Sequence, residues 1–302
     1  MPELPEVEAL VRFLDERCRD AVVEGCQLAS ISALKSFDPP LESLAGRPVE
    51  GWQRRGKYLQ MRTGPSDAAA PAAAAGSQPA LWLVLHLARG GWVSWWDQPP
   101  RGAVRLGGRG PLALRVALQG GRGFDVTEMG SEKRLAVWVV RHPSEVQAVA
   151  ELGPEPLDPS FDRAALAGLL AGEKGTLKNA LSRQSLVAGI GNAYSDEILH
   201  AARLSPFKPA GGLSDEETDR LYGAVRQVLD RAVERAVGMR ADELKGEKKL
   251  AMAVHGRTGQ PCPVCGDVVR EVSFATRSLQ YCPTCQTGGK PLADRRLSRL
   301  VK

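Results

Sequence analysis

Four cysteines near the C-terminus offer the clearest chemistry in this sequence. Cys262 and Cys265 form one Cys-x-x-Cys pair and Cys282 and Cys285 another, and the intervening stretch 266–281 has the spacing of a tetrahedral zinc site. Four thiolates fill every coordination position and leave none for a reacting water, so a zinc ion held there, one per chain, is structural. The stretch VVREVSFATRSLQY between the pairs alternates as a β-hairpin does and sets Arg277 near its tip, either as a solvated turn residue or as a contact to a polyanion. A second candidate lies at the other end of the chain. Pro2 follows Met1, and removal of the methionine leaves a secondary amine; an unperturbed α-amino group has a pKa of about 7.7–8.0, so a nucleophilic fraction is neutral. Glu3 and Glu6 stand beside it and are suited to moving protons in Schiff-base chemistry. The same residues also suit a purely local role, since prolines stiffen the chain and carboxylates favour the positive end of a helix.

Two further places suit phosphate. The turn AGIGN, residues 188–192, can aim backbone N–H groups at an anion from a helix start, or its glycines can simply allow a tight connection between helices. Lys57, in RRGKYL behind Arg54 and Arg55, reads either as a phosphate clamp or as a charged guard on a strand edge.

The elements that must hold these groups follow from the hydrophobic pattern. Apolar residues at Val7, Leu10, Val11 and Leu14 predict a helix beginning just after Pro5. Between residues 22 and 141 the pattern turns to short β-prone stretches, KYLQMRT, ALWLVLHL, GWVSWW, ALRVALQ and RLAVWVV, which predict a β-sandwich. Residues 64–79 are almost all Ala, Pro, Gly and Ser, an insertion without the bulk to build a core. After the Pro-rich LGPEPLDPS, helical spacing covers 161–171, 176–181, 194–202 and 215–237, and AGIGNA sits between the second and third as in a helix-turn-helix. The predicted class is α+β: a β-sandwich domain with an N-terminal helix over 1–142, a linker over 143–160, a helical domain over 161–250, and a cysteine finger with a basic tail over 251–302.

Composition narrows the class. Of 302 residues 43% are hydrophobic and 25% charged, which excludes a disordered, collagen-like or wholly membrane-embedded chain. The longest apolar run, 80–87, is broken by His86 and falls far short of the roughly 20 residues that cross a bilayer. The acidic start has no basic n-region, so an intracellular location is expected. A formal charge of +5 favours a polyanionic partner.

Four blocks then occur in order: PELPEVE at the start, GKYL at 56–59, QSLVAGIGNAYSDEIL at 184–199, and GRTGQPCPVCG with YCPTCQ at the end. Together they resemble the bacterial formamidopyrimidine-DNA glycosylase and endonuclease VIII family over nearly the whole chain. The resemblance implies a β-sandwich N-domain, a helix-two-turn-helix C-domain and a zinc finger. It implies damaged DNA as the partner, bound between domains by a monomer associated with the nucleoid of a bacterial cytoplasm. It further implies that Pro2 attacks C1′ of the damaged nucleoside, displaces the base and forms an iminium with the opened sugar. Glu3 assists ring opening and proton transfer, and β- then δ-elimination cleaves the strand. Lys57, counted in the catalytic set, matches with Asn192 and Arg277 the positions that hold phosphates flanking the lesion. Lys178 matches another basic DNA-binding position, and Glu6 a carboxylate near the everted base.

The sequence departs from the guanine-specific members in three places. Arg89, in HLARGG, stands where those members place a methionine that fills the space of the flipped base. Thr127, Glu128 and Met129 occupy the positions of two arginines and a wedging phenylalanine, so Glu128 would set a negative charge against DNA. Residues 239–254 are too short for a loop that closes over 8-oxoguanine. Weak opposite-base preference, with better processing of abasic sites or oxidised pyrimidines, is therefore expected. Two rivals remain: a catalytically weak or inactive damage-binding protein of the same fold, against which Pro2, Glu3 and Lys57 speak, and a zinc-ribbon RNA-binding protein, against which the missing aromatic-rich motif speaks.

Overall fold

Helix α1 (Leu4–Cys18) starts where Glu3 takes an extended N-cap conformation and Glu6, three residues on, reaches back to accept the Glu3 N–H at 2.8 Å. This is the reciprocal half of a capping box, and it satisfies a donor the helix start would otherwise orphan. The buried stripe Val7, Leu10, Val11, Leu14 and Cys18 turns the helix toward the core. The computed structural model describes residues 1–65, 79–108, 110–130, 132–274 and 278–293. Most of the 64–79 insertion, Arg277 and most of the basic tail thus lie outside the described residues.

The chain divides into two compact units, the first made of Met1–Glu151 and Ala236–Leu244, the second of Leu152–Arg235 and Lys245–Lys302. In the first unit, eight strands follow α1: β1 (Val23–Leu28), β2 (Val49–Arg55), β3 (Tyr58–Thr63), β4 (Leu81–His86), β5 (Gly91–Trp96), β6 (Leu112–Leu118), β7 (Arg122–Glu128) and β8 (Ala136–Val140). They form two antiparallel four-stranded sheets, ordered β1-β6-β7-β5 and β2-β3-β4-β8. Alternate residues face inward, so Leu114, Val116, Phe124 and Val126 of one sheet share a core with Leu59, Met61, Leu83, Leu85, Val137 and Val139 of the other and with the α1 stripe. A short helix α2 (Gln147–Ala150) ends the first pass. The stretch Ala236–Leu244 returns to this unit: Ala236, Ala241 and Leu244 join its core, and the buried Trp92 indole donates to the Ala241 carbonyl at 2.7 Å.

The second unit carries α3 (Arg163–Ala171), α4 (Leu177–Ser182), α5 (Asn192–Ala201) and most of α6 (Asp215–Ala236), then most of α7 (Leu244–Ala251), the hairpin β9 (Arg270–Ser273) and β10 (Ser278–Tyr281), and α8 (Pro283–Thr287). The two units part between Glu151 and Leu152, inside the stretch 143–160 read from sequence as a linker. The stretch 239–254, read from sequence as a shortened loop, instead contains a helix, α7. No helix among the described residues is long and apolar enough to cross a membrane.

Candidate nucleic-acid interface and metal centre

In the first unit the start of α1 gathers Pro2, Glu3 and Glu6, all buried; Glu3 is 2% and Glu6 3% exposed. The Glu3 carbonyl accepts the Val7 N–H at 3.0 Å and one Glu6 oxygen is spent on the cap, so both residues are fixed by the helix they begin. Lys57 lies on a different element. It is the second residue of the two-residue turn Gly56–Lys57, set by the pairing of Arg55 with Tyr58 and by a Gly56 φ of +56°; a glycine takes that left-handed conformation without strain. The Lys57 side chain is buried at 6% exposure. His86, which pairs with Tyr58 across β3 and β4, stacks on its ring at a centroid distance of 4.8 Å. Burial, aided by the Lys57 charge, pushes the His86 pKa down to about 4, so this imidazole stays neutral at physiological pH.

Arg89 and Met129 project from one joint. The Met129 N–H donates to the Gly90 carbonyl at 3.0 Å, and a Cβ on residue 90 would lie 2.0 Å from the Met129 oxygen; only glycine permits the two loops to meet. Arg89 and Met129 are both exposed. Thr127 and Glu128 close strand β7, and here the structure corrects the sequence reading. Glu128 does not face outward: it is 3% exposed and its Oε1 accepts the Arg134 and Leu135 N–H groups at 2.7 and 2.9 Å. Its carboxylate caps a turn, a use that sequence position alone does not reveal.

In the second unit the AGIGN turn is templated by Gln184. Its amide donates to Ile190 O at 2.6 Å and accepts the Gly189 N–H at 3.0 Å, while Gly189 takes a φ of +86°. Asn192 begins α5 and donates Nδ2 to Ser278 O at 2.8 Å, tying the helix start to the finger hairpin. A cavity of about 120 Å³ beside it is lined by Lys178, Asn192, Phe207, Phe274 and Ser278 among others. Lys178, expected among the DNA-binding residues, is enclosed. Only 4% exposed, its ammonium donates to Asn192 O at 2.5 Å, Ser195 Oγ at 2.8 Å and Asp196 Oδ1 at 2.7 Å, giving each of its N–H bonds an acceptor. Asp196, fully buried, also bonds His255 Nδ1 at 2.8 Å. Its neighbour Glu197 accepts the N–H groups of Ala253, Val254 and His255 at 2.7–2.9 Å. Burial raises the Glu197 pKa, and those three donors work against the shift. Sequence reasoning missed Asp196, Glu197, His255, Gln184 and His86; the block QSLVAGIGNAYSDEIL already contained three of the five.

The four finger sulfurs lie within 4.8 Å of one another, with Cys262–Cys285 at 3.9 Å and Cys265–Cys282 at 3.3 Å. A tetrahedral Zn–S₄ centre places its sulfurs ~3.8 Å apart, so the donor set fits one zinc. Asp267 braces both knuckles: its carbonyl accepts the Cys262 N–H at 2.7 Å and its carboxylate accepts the Thr284 hydroxyl at 2.8 Å. His200 Nε2 lies 3.3 Å from Cys262 Sγ. Arg277, expected at the hairpin tip, lies outside the described residues, but β9 and β10 pair in register from Arg270–Tyr281 to Ser273–Ser278 on either side of it.

Comparison with known proteins supplies the lineage. Three family models match in order: the formamidopyrimidine-DNA glycosylase N-terminal domain over residues 1–124, its H2TH domain over 152–242, and a zinc finger found in FPG and IleRS over 259–288. A formamidopyrimidine-DNA glycosylase of Symbiobacterium thermophilum is 35% identical over 303 aligned residues, covering 95% of this chain and 89% of the relative. An uncharacterised formamidopyrimidine-DNA glycosylase-like protein of Mycobacterium tuberculosis is 62% identical over 151 residues, covering 50% of this chain and 94% of that one. Among solved structures, the Thermus thermophilus protein superposes with a TM-score of 0.76 at 30% identity, covering 96% of this chain and all of its own. The Lactococcus lactis protein in complex with DNA containing N7-benzyl-Fapy-dG gives 0.78 at 25% identity, with 95% and 100% coverage. With the capped N-terminal helix on its β-sandwich, the helical unit and the four-cysteine finger all accounted for, the chain belongs to the formamidopyrimidine-DNA glycosylase family of base-excision DNA glycosylases.

Proposed function

We propose that this DNA glycosylase is bifunctional, excising a damaged base and then cleaving the strand as an AP lyase, with the Pro2 amine as nucleophile once Met1 is removed. The observation that carries the reading is the burial of Pro2, Glu3 and Glu6 together at the N-terminus of α1. The positive end of a helix disfavours an ammonium and so raises the neutral, nucleophilic fraction of the amine. The amine adds to C1′ as the C1′–N bond to the base breaks; Glu3 protonates the ring oxygen as the sugar opens to the iminium. Loss of the C2′ proton then expels the 3′ phosphate, and a second elimination expels the 5′ phosphate. Lys57, Asn192 and Arg277 hold the phosphates around the lesion. The zinc shapes the hairpin that carries Arg277 and takes no part in bond making.

For the lesion, Thr127, Glu128 and Met129 stand in place of the arginine pair and phenylalanine of the guanine-specific pattern, and Arg89 in place of its methionine. Thr127 cannot supply the bidentate contact to an orphaned base that is worth about 1–3 kcal/mol of discrimination. Abasic sites and oxidised pyrimidines are accordingly the favoured substrates, acted on by a monomer. Borohydride trapping on abasic duplex DNA tests the mechanism. A covalent adduct is expected with the native N-terminus and none with an N-terminally extended protein; an adduct that survives the extension moves the nucleophile elsewhere. Single-turnover rates favouring 8-oxoguanine opposite cytosine over both abasic sites and thymine glycol would overturn the lesion assignment.

A further inference from the structure

Between the start of α1 and the Lys57 turn runs a chain of contacts to which the reaction scheme assigns no role. Glu8 lies one helical turn into α1. Its Oε2 accepts Arg54 Nε at 2.9 Å and its Oε1 accepts Arg12 Nε at 2.8 Å. Arg54, at the end of β2 and with a side chain only 9% exposed, uses a second nitrogen: Nη1 donates to Gly56 O at 3.0 Å. Gly56 is the first residue of the turn and Lys57 the second. One guanidinium therefore grips the helix with one N–H and the turn with another, a fork that a lysine cannot reproduce.

We propose that Glu8 and Arg54 are positioning residues, whose ion pair sets the Gly56–Lys57 turn against the α1 start bearing Pro2 and Glu3 and thereby places the Lys57 ammonium on the phosphate beside the reacting sugar. This deepens the function proposed above and rests on its reading of Lys57 as a phosphate clamp. The two arms of Glu8 differ. The Arg12 side chain is 57% exposed, and an ion pair so open to water contributes little. The Arg54 arm is shielded, and a charge-assisted hydrogen bond gains strength away from water. Burial alone would raise the Glu8 carboxyl pKa, but the hydrogen bond and charge of Arg54, followed by those of Arg12, hold it below the ordinary value. Glu8 is thus ionised at neutral pH.

The salt dependence of DNA binding separates positioning from mere stability. Each phosphate neutralised contributes about 0.9 to the slope of log K against log salt. With a duplex carrying a tetrahydrofuran abasic analogue, Lys57→Ala is expected to reduce the slope of the full-length protein by roughly 0.9. Glu8→Gln, which removes no cation, should lose most of the same increment, as should Arg54→Lys, while Arg12→Ala keeps the full slope. Adding Glu8→Gln to Lys57→Ala should cost nothing more, because the clamp is already gone. Thermal melts identify any variant that fails to fold, and the two relay variants serve as alternates. A full slope in folded Glu8→Gln and Arg54→Lys, alongside a reduced one in Lys57→Ala, overturns the relay and leaves the clamp intact. A full slope in Lys57→Ala overturns the clamp and the relay with it.

Discussion

The two units support their candidate site residues by different means. In the first, the support is partly wet: a capped helix start, a two-residue turn, and an ion pair across 46 positions whose glutamate is 21% exposed. In the second, the central pair is dry. Lys178 and Asp196, 5% and 0% exposed at their side chains, form a buried pair with His255 attached, and four sulfurs converge from both ends of a finger. A site that rests on partly hydrated contacts can be adjusted residue by residue. One that rests on buried charges and a metal is all or nothing, since removing one member strands the others in a low-dielectric interior.

The largest expected effect lies in the finger. Chelating the zinc, or Cys282→Ser, forfeits metal-binding free energy of about 10 kcal/mol or more. Hydrogen exchange should then show the β9 and β10 amides losing protection while those of the β-sandwich keep it. Equal loss in both units would erase the contrast. Next is Lys178→Met, which leaves Asp196 buried without its cation and should cost about 3–5 kcal/mol in denaturant melts; a cost under about 1 kcal/mol would mean that the pair is not truly dry.

A smaller effect belongs to His86 in the first unit. Its folded pKa of about 4 lies below the unfolded value of about 6.5, so between those values the unfolded chain binds more protons. Its contribution is intact above about pH 6.5 and is lost as the pH falls toward 4, at no more than about 1.4 kcal/mol per pH unit. His86→Asn should flatten that limb of the stability curve, and an unchanged limb would assign it to other groups. The smallest is Glu8→Gln, for which a stability loss of about 1.5 kcal/mol is expected from one charge-assisted hydrogen bond. A loss as large as that of Lys178→Met would make the two supports equivalent.

The sequence made short-range patterns legible. The N-terminal helix and the zinc ligands are encoded by a periodic pattern and a fixed spacing, so they could be read directly, whereas Lys57, read as the start of a strand, lies in the turn before it. Five of the eight β-sandwich strands stood out; β1, β2 and β7 did not, because VEGCQL, VEGWQRR and RGFDVTE mix polar and glycine residues into their buried alternation. Partners far apart in the chain were invisible. Asp196 meets Lys178 across 18 positions and His255 across 59, and only the fold reveals that Lys178 is enclosed. Glu128 misled for a related reason: a charge at a strand end normally faces water, and only the N–H groups of Arg134 and Leu135 explain why this one turns inward.

The return of Ala236–Leu244 to the first unit determines how the protein can be taken apart. A single proteolytic cut between Glu151 and Leu152 would not release two self-sufficient pieces. The N-terminal fragment would lack the apolar plug of Ala236, Ala241 and Leu244, and Trp92 would lose the carbonyl that its indole N–H meets. Since the missing segment travels with the other piece, the nicked halves should behave as a complementing pair that copurifies, and a gene truncated at codon 151 should yield a product prone to aggregate unless the remainder is supplied in trans.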